Sequence, residues 1–405
     1  MTEQTVLISG AGIAGPTLAY FLGRRGFRPT VVEHAHGTRS SGSPVDVRGP
    51  AVRVAEQMGV MPRLRAAATG VTGMRFVDAA ARRLGGVGMW AVQGGAGTVE
   101  LPRGTLASVL YEAARDHAEF VFGDAIASLE QDAGGVDVTF EHGAPRRFDL
   151  VVGADGLHSG VRRLAFGPES AFVRHLGLYV ATTPFDGPIE HPHEVVLHNA
   201  PGRLAAIHPS PAGPLAFFAY RAPAVPDLDH RDTERHKRML TEAFADGGWR
   251  VPELLDRARA AEDLYFDSVS QVVLSPWSAG RITLLGDAAA SVSLFGDGSS
   301  LAMAGALTLA DALAAAAGAA LDNVRRHAGT DASAWVLVED EGDVVTVSVR
   351  DDGPGFAADR LARAVEEGRL GVAQSIVGRM RDVGGTAHVT SSPGQGTEVE
   401  LRATR

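Results

Sequence analysis

Six residues near the N-terminus, Gly10-Ala-Gly12-Ile-Ala14-Gly15, have the types and spacing that hold a nucleotide diphosphate. In a G-x-G-x-x-G the first glycine permits a tight turn and the second lets backbone approach a pyrophosphate. The third lets the following helix pack closely on the strand before it. Free N–H groups and the positive dipole at that helix's N-terminus then face the phosphates. Glu33 stands where a carboxylate accepts hydrogen bonds from a ribose. The alternative is a glycine-rich turn without a ligand, but strand, helix, second strand and acid fall in the required order. Gly10, Gly12, Ala14, Gly15 and Glu33 are therefore candidate dinucleotide contacts, with NAD and FAD both open on this fingerprint alone. Elsewhere, His198 and His208 fall on strand-like segments with Phe217, Phe218 and Tyr220 nearby, and could orient a phenolic substrate. The plainer reading makes them ordinary sheet residues. His191-Pro-His193 has no further ligands spaced around it, so no metal is expected there.

Behind these residues the chain supplies a β-α-β unit. Thr5–Ser9 is a short apolar run of the kind buried on both faces of a parallel sheet, Pro16–Arg25 is helical, and Pro29–Glu33 is a second strand. A helix is expected near Ala51–Met58, short strands over 70–100, a helix over Leu101–Ala118 and strands over Phe120–Phe140. Phe148–Asp155 and Arg281–Asp287 read as further buried strands running into loops. From Phe172 to Asp263, strand-like pieces (Glu194–His198, Leu204–His208, Leu215–Tyr220) alternate with proline-rich turns, which predicts a mainly antiparallel sheet inserted into an α/β framework. A helix follows from Ser299. Beyond Gly329 come a hairpin (Trp335–Glu339, Val344–Arg350), a glycine-rich turn, a helical piece and two closing strands.

The 405 residues suffice for two or three domains, each with its own core. A formal net charge of −10 argues against nucleic acid and an anionic membrane as partners. Without cysteine there is no disulfide, thiolate catalysis or cysteine-held metal, and a reducing cytoplasm suits the chain. The N-terminus lacks the basic region and cleavage site of a signal peptide. The apolar run Leu307–Leu321 is alanine-rich and interrupted by Asp311, as in a soluble helix rather than a membrane span.

Two later segments bear on the cofactor. Asp149-Leu-Val-Val-Gly-Ala-Asp155-Gly156-Leu-His-Ser159-Gly-Val-Arg162 and Gly280-Arg-Ile-Thr-Leu-Leu-Gly286-Asp287-Ala288-Ala289 resemble the paired DG and GD motifs of single-component flavoprotein aromatic hydroxylases, the relatives of para-hydroxybenzoate hydroxylase and of the tetracycline-modifying monooxygenases. The resemblance covers roughly residues 1–317 and implies FAD. By it, Asp287 hydrogen-bonds the ribityl chain, and Asp155 belongs to the cofactor site. Ser293-Leu-Phe-Gly296-Asp-Gly298 supplies a loop facing the flavin ring. Arg103, in Pro102-Arg103-Gly-Thr-Leu106, matches an FAD-contacting arginine, and Arg48 lies in a flavin-adjacent loop. The loop departs from the family's usual pattern at Ala289-Ala290 and Ser293-Leu294. The implied reaction uses NAD(P)H to reduce FAD, then dioxygen, and hydroxylates a small aromatic substrate through a flavin hydroperoxide. The cofactor carries that chemistry, so no catalytic dyad is required. No tryptophan-rich signature points to halogenation instead.

Residues 318–405 resemble another family, the ATP-binding domain of sensor histidine kinases. Ala320-Leu-Asp-Asn323 matches an N-box whose asparagine holds Mg²⁺, Asp351-Asp-Gly353-Pro-Gly355 an adenine-binding D-x-G-x-G box, and Gly368-Arg-Leu-Gly371 a second glycine box. Gly394-Gln-Gly396-Thr397 matches a closing hairpin with an adenine-side threonine. The N-box acid falls at Ala319, and no phosphoacceptor helix precedes the segment. The two resemblances meet inside the alanine-rich run Ser299–Ala328 without a polar linker, as in a spliced chimera. The expected fold is α/β: a Rossmann-like FAD-binding domain (1–171, with part of the substrate layer near 70–100, and 264–317), an inserted mainly antiparallel β substrate domain (172–263), and a C-terminal α/β sandwich fragment of histidine-kinase ATPase type (318–405). The alternative is a non-catalytic or regulatory chimera that binds ATP.

Overall fold

A computed structural model describes residues 4–37, 43–88, 97–132, 134–211, 213–226, 228–262, 264–291, 297–323, 334–340, 344–351, 354, 386–395 and 397–404. β1 (Thr5–Ser9), α1 (Ala14–Arg24) and β2 (Arg28–Glu33) form the anticipated unit. Val6, Leu7 and Ile8 are fully buried, as a strand covered on both faces requires. Next come β3 (Pro44–Val47), α2 (Pro50–Gln57), α3 (Met61–Ala66), β4 (Gly73–Val77), β5 (Arg83–Gly88), β6 (Val99–Pro102), α4 (Arg103–Ala114) and β7 (Glu119–Phe122). A meander of β8 (Ile126–Asp132), β9 (Gly135–Phe140) and β10 (Arg146–Phe148) leads into β11 (Leu150–Gly153) and α5 (Gly160–Ala165). The expected helix over Leu101–Ala118 is shorter, because Val99–Pro102 pairs with β3 before the helix opens at Arg103.

The second layer contains β12 (Val173–Pro184), β13 (Glu194–Ala200), β14 (Arg203–His208), β15 (Leu215–Arg221), α6 (Thr233–Ala243), α7 (Val251–Ala260) and β16 (Tyr265–Val272). The two helices correct the reading of this region as strands and turns alone. Asp232 caps α6 by accepting from the Arg235 amide, and Pro252 sits in the first turn of α7. With β4 and β5 the strands form a seven-stranded sheet, β16-β12-β15-β14-β13-β4-β5, antiparallel except where β13 runs parallel to β4. Alternation gives it two faces. Tyr179, Ala205, Ile207, Phe218 and Tyr220 pack with Leu240, Leu254 and Leu255 of α6 and α7. Val195, Leu197 and Ala206, with Met74, Phe76, Leu204 and Phe217, form the other face.

β17 (Ser278–Ala279) and β18 (Ile282–Leu284) return the chain to the first domain, completing the sheet β17-β18-β11-β1-β2-β7. α8 (Asp297–Asn323) follows. By length and composition its segment Asp297–Ala315 could cross a membrane. Here Ala302, Met303, Ala306, Ala310 and Leu313 are buried in the core shared with α1 and α2, and Asp297 and Asp311 pair with Arg48 and Arg25. α8 then runs beside β19 (Ala334–Asp340) and β20 (Val344–Asp351), which join β21 (Thr386–Ser391) and β22 (Thr397–Thr404) in an antiparallel sheet, β19-β20-β22-β21.

Candidate active site

The C-terminal end of β1 shapes the first part of the site. Gly10 has φ +104°, and a Cβ there would lie 2.5 Å from the Ala154 carbonyl oxygen. A Cβ on Gly15 would lie 1.9 Å from the Gly10 oxygen, so strand, turn and helix fit only without side chains. Gly12 differs: a Cβ there would meet nothing within 4 Å, leaving its backbone open to a ligand. No side chain caps the α1 N-terminus beginning at Ala14. The Glu33 carboxylate accepts from the Ala11 amide (2.8 Å) and the Ala35 amide (2.9 Å), one to each oxygen. It thus closes the glycine turn onto β2 and keeps lone pairs for ribose hydroxyls.

At the other end Asp287 lies against Gly298 and within the electrostatic reach of Arg103. Asp287 is half-buried in a 3-10 turn (Gly286–Ala288) after β18; burial pushes its carboxyl up, and the Arg103 guanidinium opposes that. A Cβ on Gly298 would come within 3.4 Å of Asp287 Oδ1. Tyr265, which opens β16, was not singled out in the sequence. Burial and Asp267 push its hydroxyl up while Arg103 opposes, so it shares the field of Arg103 and Asp287. Arg48 Nε donates to Asp297 Oδ1 (2.7 Å), and its amide donates to Ser300 Oγ (3.0 Å). Ser299 and Ser300 donate to the Asp46 carbonyl, so β3 is tied to the first turn of α8.

The acid of the DG motif turns inward. Asp155 accepts from Ser159 Oγ (2.5 Å), the Val161 amide (3.1 Å) and Ser9 Oγ (3.3 Å), and burial raises its carboxyl against these bonds. It joins β1, its own loop and the start of α5. Arg162, fully buried, donates to the Leu157 carbonyl (2.5 Å) and the Ala288 carbonyl (3.0 Å). The two sequence motifs, 126 residues apart at this bond, are thereby stapled together.

On the sheet, register lines up Tyr265, Thr182, Phe217, Ala206, Leu197 and Phe76 in one row on the face away from α6 and α7. Ser43, just before β3, donates to Thr182 Oγ1 (3.4 Å) and links this face to the first domain. His208 lies on this side, with Nε2 3.5 Å from Glu100 Oε1 and Nδ1 2.8 Å from the Pro209 carbonyl. His198 lies on the other, bonded to the Val77 carbonyl (3.2 Å) and lining a cavity of about 210 Å³ with Arg203, Phe244 and Asp246. Phe218 and Tyr220 are core residues. Among the described residues no group of three or more metal-ligating side chains occurs, at His191 and His193 or elsewhere.

Gly296, Gly353, Gly355 and Gly371 lie outside the described residues. Asn323 ends α8 and Asp351 ends β20. Thr397 opens β22, buried, with its hydroxyl 3.0 Å from Ser391 Oγ across the closing hairpin.

The chain belongs to the FAD-binding domain family, whose model matches residues 3–331. A second model, for histidine kinase-, DNA gyrase B- and HSP90-like ATPases, matches 308–404, so the two overlap within α8 and beyond it. An uncharacterized protein of Mycobacterium tuberculosis is 39% identical over 322 residues, covering 77% of this chain and 86% of that protein. A flavin-dependent monooxygenase of Legionella longbeachae is 35% identical, covering 77% and 81%. The solved tetracycline destructase Tet(51) superposes with a TM-score of 0.69 at 33% identity, covering 78% of this chain and 83% of that one. The protein is an FAD-dependent oxidoreductase related to flavin-dependent monooxygenases. Its residues fit FAD: an open backbone at Gly12, an uncapped helix start, and a half-buried acid, Asp287, within the electrostatic reach of Arg103.

Proposed function

We propose that this protein uses NAD(P)H and dioxygen to hydroxylate a small aromatic molecule. One observation carries the reading: Tyr265, at the end of a mainly apolar sheet row, shares the electrostatic field of Arg103 and Asp287, and Ser43 bonds Thr182 of the same row. FAD, when bound, supplies the redox and oxygen-transfer chemistry. Gly12 and the α1 amides would hold its pyrophosphate, Glu33 its ribose and Asp287 its ribityl hydroxyls, with Arg103 a further FAD contact and Arg48, Gly296 and Gly298 supplied by the flavin-adjacent loops. Asp155 acts from behind, fixing the loop. Phe217, Leu197 and Phe76 exclude water from the substrate side, where His208 and Glu100 offer polar contacts. The division at 171, 263 and 317 and a cytoplasmic setting without nucleic-acid or membrane partners complete the reading.

The test is a visible spectrum of the purified protein before and after NADPH under exclusion of air. A flavin spectrum that bleaches supports the reading. A colourless protein that takes up no added FAD overturns it.

The match over 308–404 favours a second role for the C-terminal segment, as an ATP-binding module of sandwich type. Asn323 would hold Mg²⁺, Asp351 and Thr397 the adenine, and Gly353, Gly355 and Gly371 would belong to the glycine boxes of that site. In that regulatory reading ATP affinity changes when the flavin is reduced; equal affinity in both redox states rejects it.

A further inference from the structure

His158 lies in the loop between β11 and α5, and its ring is held between two carboxylates. Nδ1 is 3.0 Å from Glu169 Oε1, and Nε2 is 3.3 Å from Asp267 Oδ1. A neutral imidazole has a single N–H and would set a lone pair against one of those carboxylates. Only the doubly protonated ring donates to both. Burial alone would favour the neutral form, but Asp267 and Glu169 outweigh it and push His158 up to about 9. A second imidazole, His230, stacks on the first with centroids 4.5 Å apart and planes 6° apart. Burial and then the charge of His158 hold His230 below its ordinary value. The remaining charges facing this group are Arg162, 3.6 Å from Glu169, and Arg231 and Asp229 beside His230.

The contacts join separate parts of the fold. Glu169 lies in a 3-10 turn (Glu169–Ala171) after α5, in the FAD-binding domain. Asp267 lies on β16 of the sheet, two residues from Tyr265 and on the same face of the strand. Tyr265 in turn shares the field of Arg103 and Asp287. The His158 loop is itself held by Asp155 and by Arg162, whose other guanidinium nitrogen reaches the GD turn. His158 is thus the cationic link between the two stapled motifs and the strand that carries Tyr265.

We propose that His158 is a positioning residue which, as an imidazolium, fastens the β11–α5 loop to β16 and so fixes the sheet against the FAD site. Loss of its proton to solvent releases that hold; no electrons move. The nearby carboxylates keep the protonated form dominant at neutral pH, so loss of the His158 proton opens the link on the alkaline side.

The experiment measures FAD affinity of the full chain by quenching of flavin fluorescence, from neutral pH to about pH 10. Wild-type affinity falls roughly tenfold as pH rises through about 9, a coupling of ordinary size. His158→Asn binds weakly throughout and lacks the alkaline fall. His158→Arg, whose guanidinium stays charged and offers several donors, binds tightly throughout. A flat wild-type profile, or an alkaline fall that persists in His158→Asn, overturns the proposal. Should His158→Asn not fold, His158→Arg alone decides: a fall matching the wild type overturns it. Absence of FAD binding by every form at neutral pH would instead count against the flavoenzyme reading itself.

Discussion

Asp287 and Asp46 are both carboxyls that burial holds above their ordinary range, yet substitution affects them in opposite senses. Asp287 faces Arg103 in the FAD site, so Asp287→Ala lowers the flavin-to-protein ratio after gel filtration far more than Asp351→Ala does. Equal losses would contradict that division of labour. Asp46 lies opposite Glu100 in the β3–β6 ladder. Burial first, then Glu100, raise it to about 6, with Arg48 and His208 opposing. A folded value above the unfolded one means ionisation opposes folding above about pH 6 and not below the unfolded value near 3.8. Asp46→Asn therefore raises the urea midpoint at pH 8, and its advantage disappears as the pH falls through that window. At this scale the sequence was legible where chemistry is local. Gly10, Gly12, Gly15 and Glu33 were readable because a turn and two strand ends fix them within a few dozen residues. Tyr265 and His158 were not, since their meaning comes from Asp287, Asp267 and Glu169 arriving from elsewhere in the chain.

Among the elements, the buried strands β1, β11 and β18 could be read from their apolar runs, because a strand covered on both faces needs nothing else. α6 and α7 could not, although Asp232 and Pro252 are the start signals such helices use. Both are polar on one side, and their surroundings are rich in proline and arginine. The parallel pairing of β13 with β4 joins residues about 120 apart in sequence, beyond any local pattern. His198 and His208 show the same limit. By sequence alone both could orient a phenolic substrate, but they stand on separate strands, β13 and β14, on opposite sides of the sheet. At this scale Arg162 is the critical tie, because it supplies donors to two carbonyls of different loops. Arg162→Met leaves the Leu157 and Ala288 oxygens without that partner and should destabilise the protein by roughly 2–5 kcal/mol in urea unfolding. A change under 0.5 kcal/mol would show that the staple carries little.

For the whole molecule, the overlap of two family models at 308–331 was visible in the sequence as an alanine-rich run without a linker. The N-box acid is replaced by Ala319, and no phosphoacceptor helix leads into the segment. The full chain should therefore form no phosphohistidine when incubated with ATP and Mg²⁺, and radiolabel retained after acid-sparing electrophoresis would refute this. FAD at about 100 times its dissociation constant should add about 2.7 kcal/mol to stability, read as a later thermal transition. α8 has a geometric consequence of its own. Its 27 residues form one uninterrupted spiral about 40 Å long, with the flavin-side turn at one end and Asn323 at the other. Such a shaft fixes azimuth as well as distance. Inserting or deleting a single residue along it would swing everything beyond by about 100° while advancing or withdrawing it by only about 1.5 Å. Among length variants of α8, those that change by whole turns should keep the C-terminal sheet facing the same neighbours.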